Sequence, residues 1–358
     1  MMRILHTSDI HLGSPITAHL DGARAAIRRR ELQDGFARLV YRARELSCEG
    51  IIIAGDLFDG ALISRRLIES TLATVASTPE ISFFYLPGNH EGDVLKKSGI
   101  SLPDNLKLFG EGWTYYELGS VRIGGRTRHE PRMLGSFASG GGVNIAVLHG
   151  ERREGQSGEG VIGMQDALAS CVDYLALGHY HGYSARRIGR CEAVYSGTPE
   201  GRGFDEAGDL GFVLIEIEGT TLRHSFLKSG GRRLSIVEAD ITGDRTQAEV
   251  ERTVERALLG IPAEDMVRAV LTGEHTAGTL RDLDSIKRRF SQSYFYFEAR
   301  DNSRLCLDPE EFAKDPTLRG EFVRLVMADG SLSQEERDRI LECGLRALEG
   351  ESAFGRWS

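Results

Sequence analysis

Cysteine is scarce and unpaired: Cys48, Cys171, Cys191, Cys306 and Cys343 are scattered through 358 residues, odd in number and without a C-x-x-C spacing. That pattern excludes a zinc ribbon and a disulfide framework, and it suits reduced thiols in a cytoplasm. No apolar run approaches the ~20 residues needed to span a bilayer, so no membrane association is expected. Met1-Met2-Arg3-Ile4-Leu5-His6 leads straight into a strand, which leaves no room for a signal peptide and gives the expectation of a cytoplasmic protein. Excess positive charge is missing too. The 44 Lys and Arg residues are outnumbered by 53 Asp and Glu, for a formal net charge of −9. A protein that neutralises a long stretch of phosphates usually has the opposite balance. Local clusters survive at Arg28-Arg29-Arg30, Arg126 with Arg128, Arg152-Arg153, Arg186-Arg187 with Arg190, and Arg232-Arg233. They are compatible with a short basic channel, and a cation centre would add positive charge that the formal count omits. Internal repeats and low-complexity tracts are also absent.

With 41% hydrophobic and 27% charged residues, the chain can bury one large α/β domain with a smaller one appended. Strand-like runs rich in β-branched residues occur at Arg3–Leu5, Gly50–Ala54, Ile81–Leu86, Val143–Leu148, Val172–Leu177, Ala193–Tyr195 and Gly211–Ile217. Helical spacing predicts helices over Asp21–Ser47, through Leu32, Phe36, Leu39, Val40 and Ala43, and over Ser64–Ser77, with Ser64 as N-cap. Such alternation implies buried, largely parallel sheets with helices outside. Beyond Gly230-Gly231 the pattern becomes mixed: strands at Leu234–Ala239, from Met266 to Leu271, and at Tyr294–Glu298, with helices at Thr246–Leu258 and Leu280–Phe290. From about Ser303 the chain is helical and charged, and Ser333-Gln334-Glu335-Glu336 reads as a capping box for its last helix. The expected division is a catalytic domain over 1–232, an α+β cap over 233–302 and a helical tail over 303–358.

Five histidines stand beside Asp, Asn or Gly just past hydrophobic runs. In order the sequence reads Ser8-Asp9-Ile10-His11, Gly55-Asp56, Gly88-Asn89-His90-Glu91, His149-Gly150 and Gly178-His179-Tyr180-His181. Imidazole nitrogens, carboxylates and one carboxamide are the donors that hold two divalent cations close together, and such a pair activates a water and clamps a phosphoryl group. Singly, each motif is weak. Gly-Asp marks many turns, and a histidine after a strand is commonly a hydrogen-bonded turn residue. Gly88-Asn89-His90-Glu91 and Gly178-His179-Tyr180-His181 are more specific, since alternate residues of an extended segment point the same way. Each candidate also follows a different strand, where sites form beyond the carboxyl ends of an α/β sheet. His6, His19, His129, His224 and His275 have no such setting and read as structural or surface residues.

These segments resemble the calcineurin-like metallophosphoesterase superfamily, and within it the Mre11/SbcD-type DNA repair nucleases. The resemblance is carried by His6-Thr7-Ser8-Asp9-Ile10-His11-Leu12-Gly13, Ala54-Gly55-Asp56-Leu57-Phe58-Asp59, Pro87-Gly88-Asn89-His90-Glu91, Leu148-His149-Gly150 and Leu177-Gly178-His179-Tyr180-His181. Tyr195-Ser196-Gly197-Thr198-Pro199 followed by Gly211-Phe212 resembles the nuclease branch as well. The match covers roughly residues 2–217. It implies a two-sheet sandwich flanked by helices. It implies Asp9, His11, Asp56 and His181 around one metal, with Asp56 bridging to a second metal held by Asn89, His149 and His179. His90 is then the general acid, or else binds the phosphoryl oxygen, and does not ligate metal. The branch implies manganese, while the donor set also suits iron or zinc. It further implies a DNA substrate and an SMC/Rad50-like ATPase partner; a homodimer is left open. Asp59 either orients a ligand histidine or ends a turn. Arg152-Arg153 and Arg202 are candidates to meet a phosphate, solvated loops being the commoner fate of such residues, and Tyr180 is expected to pack beneath the site.

Three functions compete. A DNA exo- or endonuclease leads. A phosphoesterase acting on a small diester or a phosphoprotein suits the acidic charge better. A scaffold without chemistry ranks last, because every ligand position holds a competent side chain.

Overall fold

The computed structural model describes residues 1–16, 18–60, 63–88, 94–155, 157–276, 279–306 and 314–348. The chain divides into two compact units, Met1–Ser235 with Glu264–Met266, and Ile236–Ala263 with Val267–Ser358.

The first unit begins β1 (Met2–Thr7), α1 (Gly22–Glu45), β2 (Gly50–Ala54), α2 (Arg65–Ala76), β3 (Ser82–Leu86), α3 (Val94–Lys97) and β4 (Leu106–Leu108). It continues through β5 (Thr114–Leu118), β6 (Val121–Gly125), β7 (Val143–His149), β8 (Glu151–Arg153), β9 (Val161–Gly163) and α4 (Met164–Leu168). β10 (Tyr174–Gly178), β11 (Ser184–Ile188), β12 (Cys191–Tyr195), β13 (Gly211–Glu218) and β14 (Thr221–Lys228) complete it. One six-stranded sheet has the order β14-β13-β1-β2-β3-β4, the other β11-β12-β10-β7-β6-β5. The central pairs β1–β2, β2–β3, β6–β7, β7–β10 and β10–β12 are parallel; antiparallel strands β14, β11 and β5 form three of the sheet edges, and β4, parallel to β3, forms the fourth.

Alternation along each strand builds the layers. Ile4, Ile52, Ala54, Phe84 and Leu86 of the first sheet meet Ile145, Val147, Tyr174, Ala176 and Val194 of the second in one buried cluster. Their neighbours Leu5, Ile51, Ile53, Phe83 and Tyr85 face outward, under Phe36, Leu39 and Val40 of α1 and Ile68, Leu72 and Val75 of α2. On the far side Ala146, Leu148, Leu175 and Leu177 are covered by Met133, Leu134, Phe137, Met164 and Ala167. A strand buried on both faces has to be apolar throughout, which is why these runs stand out in the sequence. The result is the expected two-sheet α/β sandwich with helices outside.

Helix ends follow their caps. Asp21 accepts the N–H groups of Ala23 and Arg24, and Ser64 accepts that of Leu67, as its position suggested. The ends of β1, β2, β7 and β10 meet: Gly55 lies against His149, and Gly178 lies against Ala54 and Ser8.

In the second unit, β15 (Leu234–Asp240), β16 (Met266–Thr272) and β18 (Tyr296–Asp301) form a three-stranded sheet, and β17 (Glu274–His275) pairs with β19 (Arg304–Leu305). α5 (Gln247–Ala257) opens on a Thr246–Glu249 capping box and α6 (Leu283–Phe290) on an Asp282 cap. Val250, Val254, Ile286 and Phe290 pack on Val267, Ala269, Leu271 and Phe297. Helices Leu318–Ala328 and Gln334–Leu348 join through Val323, Val326, Leu341 and Leu345.

Candidate metal centre

The pairing of β1 with β2 carries on past the strands. Backbone N–H groups of Asp9, His11 and Leu12 donate to the carbonyls of Gly55 at 3.0 Å, Asp56 at 2.9 Å and Leu57 at 2.8 Å. In these linked loops Asp9, His11 and Asp56 have φ of 51°, 49° and 50°, and His179 after β10 has φ of 107°. Left-handed backbone costs a non-glycine residue ~1–3 kcal/mol. Six non-glycine residues among those described adopt it, and four of the six are these predicted ligands. Backbone strain is thus concentrated where the sequence placed chemistry. Gly55 is needed for closeness: a Cβ there would sit 2.0 Å from His149 Nδ1.

The side chains converge. Asp56 Oδ2 lies 3.3 Å from His149 Nε2 and 3.9 Å from His11 Nε2, so one oxygen faces an imidazole from the end of β7 and another from the loop after β1. Donor atoms of Asp9, His11 and His181 lie within 4.8 Å of one another, as do those of Asp9, Asp56 and His149. The two trios share Asp9, which is fully buried and accepts the His179 N–H on both oxygens at 3.1 and 3.0 Å. The His179 ring is more exposed, stands edge-on to His149 with centroids 5.6 Å apart, and belongs to neither trio. Asn89 and His90 lie outside the described residues.

His149 tests the fit of a cation. Its Nδ1 is 2.9 Å from the carbonyl of Ala54, which can only accept, so that nitrogen carries the proton in the neutral ring. Nε2 is then bare, buried and without a hydrogen bond, facing the Asp56 carboxylate. A lone pair so placed, beside two buried carboxylates, suits a divalent cation. Burial disfavours charge on His149, but the neighbouring Asp56 and Asp9 carboxylates outweigh it and raise the imidazole to about 9. His11 shifts the other way, lowered by burial and then by Arg202.

Two supporting residues were not singled out as a pair from sequence. His181 Nδ1 lies 2.8 Å from Glu206 Oε1, and Glu206 in turn accepts from Arg202. The available signal was the i, i+4 spacing of Arg202 and Glu206 in a segment that otherwise reads as loop. Asp59 Oδ1 lies 3.6 Å from His11 Nδ1, which favours the orienting alternative over a simple turn end. The Tyr195-Ser196-Gly197-Thr198 segment braces the loops: Tyr195 Oη donates to Gly150 O at 2.8 Å, and Thr198 Oγ1 donates to Asp9 O at 2.8 Å. Tyr180 does not pack beneath the site. It is 51% exposed, its ring edge-on to His179 and Tyr195.

The arginine clusters are largely neutralised. Arg28 is fully buried between Glu31 and Glu200, Arg126 and Arg128 pair with Glu130, and Arg153 pairs with Glu151. Arg186, Arg187, Arg190 and Arg232 meet Glu154, Glu192, Asp173 and Glu31. Positive potential at the site therefore rests chiefly on the cations it would hold.

Residues 2–183 match the profile of the calcineurin-like phosphoesterase family. A DNA double-strand break repair protein Mre11 of Methanopyrus kandleri is 26% identical across 98% of this chain and 82% of its own length. The Mre11 protein of Methanosarcina acetivorans is 25% identical over 94% of this chain, which spans only 57% of that relative. An uncharacterized metallophosphoesterase, YhaO of Bacillus subtilis, is 22% identical over 71% of this chain and 67% of its own. Among the described residues no helix is long and apolar enough to cross a membrane.

Proposed function

Because the chain belongs to the calcineurin-like phosphoesterase family, a family of metal-dependent hydrolases with dinuclear centres, we propose that it is a dinuclear phosphodiesterase acting on DNA as an exo- or endonuclease. The observation that carries the phosphodiesterase reading is the pair of donor trios, Asp9-His11-His181 and Asp9-Asp56-His149, drawn from three loops and the end of β7. Asp9, His11, Asp56 and His181 would hold one cation, and Asp56, Asn89, His149 and His179 would hold a second. Bound there, two divalent cations, manganese by the family's pattern, would acidify a water and offset the charge of a phosphoryl group.

The remaining work falls to the chain itself. Asp9 and Asp56 are buried carboxylates: Asp9 accepts the His179 backbone N–H on both oxygens, and Asp56 faces the imidazoles of His11 and His149. When a P–O ester bond breaks, the leaving oxygen needs a proton, and His90 stands in the family's motif at the position that gives it, or that binds the phosphoryl oxygen. Tyr180, exposed beside His179, offers a ring on which an unstacked base can rest.

DNA as substrate is favoured by relatives named for DNA double-strand break repair that align along nearly the whole chain. A Rad50-like ATPase partner belongs to the same reading. The net charge of −9 favours the alternative, a small diester or a phosphoprotein. Purified full chain with manganese should degrade single-stranded or duplex oligonucleotides faster than it turns over a cyclic nucleotide or a phosphoserine peptide. The reverse order would transfer the site to the alternative, and no turnover of any phosphoester, with or without an ATPase partner, would remove the enzymatic reading.

A further inference from the structure

Glu206 sits on a short turn at Phe204–Glu206, buried except for 6% of its surface. Both of its oxygens are engaged. Oε2 accepts the backbone N–H of Arg202 at 2.6 Å, and Oε1 accepts Arg202 Nε at 2.9 Å and Nη2 at 2.5 Å. Arg202 is itself tied to Ser14 Oγ through Nη1 at 3.2 Å, which fastens the fork to the loop after β1. Oε1 also lies 2.8 Å from His181 Nδ1. On the other side of that ring, Nε2 is 4.0 Å from Asp9 Oδ1, inside the trio with His11.

We propose that Glu206, clamped by Arg202, is the positioning residue for His181: by accepting the Nδ1 proton it fixes the tautomer and ring angle that leave Nε2 bare toward Asp9 and His11. The proposal rests on the dinuclear reading of the site and not on which phosphoester is cleaved. A bare Nδ1 would press its lone pair against the Glu206 carboxylate at 2.8 Å, so the proton must stand there. Arg202 Nη2, 3.4 Å from the same nitrogen, then has Glu206 as its acceptor and not the ring. Arg202 has a second effect. A free carboxylate next to a cation site would compete as a ligand, and Arg202 prevents this by occupying both oxygens of Glu206, Oε1 with its guanidinium and Oε2 with its backbone N–H. Partners behind a ligand histidine typically change metal affinity by ~10- to 100-fold.

The test uses the full chain and manganese alone. Calorimetric titration of Glu206→Ala should show one of the two binding events weakened ~10- to 100-fold and the other little changed. Glu206→Gln, which keeps an acceptor oxygen, should recover most of the loss. Histidine ring nitrogen resonances of the metal-free protein should show His181 protonated at Nδ1 in wild type and in Glu206→Gln, and mixed tautomers in Glu206→Ala. Arg202→Lys, checked for a wild-type melting temperature, should weaken the same event less than Glu206→Ala does. Two binding events of wild-type strength in Glu206→Ala, or equal damage to both events without rescue by Gln, would overturn the proposal, as would a wild-type His181 protonated at Nε2. Failure to cleave DNA with both binding events intact would defeat the nuclease reading and leave this one standing. A wild-type chain that takes up no manganese would end both.

Discussion

Cations and protons compete for the same lone pair on His149, and the structure fixes the size of that competition. In the absence of metal the imidazole is raised to about 9, with burial opposing and the Asp56 and Asp9 carboxylates prevailing. The sign follows directly. A histidine raised above its ordinary value of 6.5 is protonated at neutral pH, so a cation must first displace that proton, and apparent affinity climbs as pH rises toward 9. With a pKa of about 9, the deprotonated fraction grows about 25-fold between pH 7 and pH 8.5, worth about 1.9 kcal/mol. An unshifted imidazole would give only about 1.3-fold over the same interval. Manganese titrations of the full chain at pH 7, 7.5, 8 and 8.5, each in two buffers of different ionisation enthalpy, measure both the affinity and the protons released. Close to one proton should leave per chain at pH 7, from the binding event that involves His149. His149→Gln should abolish that release together with most of the pH slope. Affinity flat from pH 7 to 8.5 without proton release would refute the argument, since His149 would then be neutral despite its two carboxylate neighbours.

Other outcomes follow from the same geometry. His90→Ala should retain both manganese ions, by titration, while cleavage falls ~10²- to 10⁴-fold, the range of a general acid; loss of metal in that variant would contradict its role. Asp56→Ala should weaken both cations together, because its Oδ2 faces His11 and His149 alike. Gly55→Ala should lower metal affinity, since the added methyl would lie 2.0 Å from His149 Nδ1 at a backbone φ of 100°, and the bond of that ring to Ala54 O could not survive. Arg28→Met should destabilise the chain by ~3–5 kcal/mol, the usual result of stripping a buried carboxylate of its partner. The lower end is expected in thermal melts, because Glu200 retains Arg38 at 2.5 Å and Glu31 retains Arg232.

Part of this protein is determined by its sequence alone. Strands buried on both faces must be apolar from end to end, so β1, β2, β3, β7 and β10 announce themselves, and parallel strands need helical crossovers, which α1 and α2 supply with legible caps. Ligands that must lie at the carboxyl ends of those strands therefore appear in order, each after its own apolar run. Edge strands escaped notice for the converse reason: β11 reads Ser-Ala-Arg-Arg-Ile and exists because β12 offers it a ladder of hydrogen bonds, not because its residues bury anything. Only the tertiary structure decided which charges meet. Arg28 looks like part of a basic surface run, yet it is sealed against Glu200, 172 residues away. Glu206 looks like one more loop carboxylate, yet it stands behind His181. An ion pair between distant segments has no period and no local composition, so it leaves no trace in the sequence until folding brings its partners together.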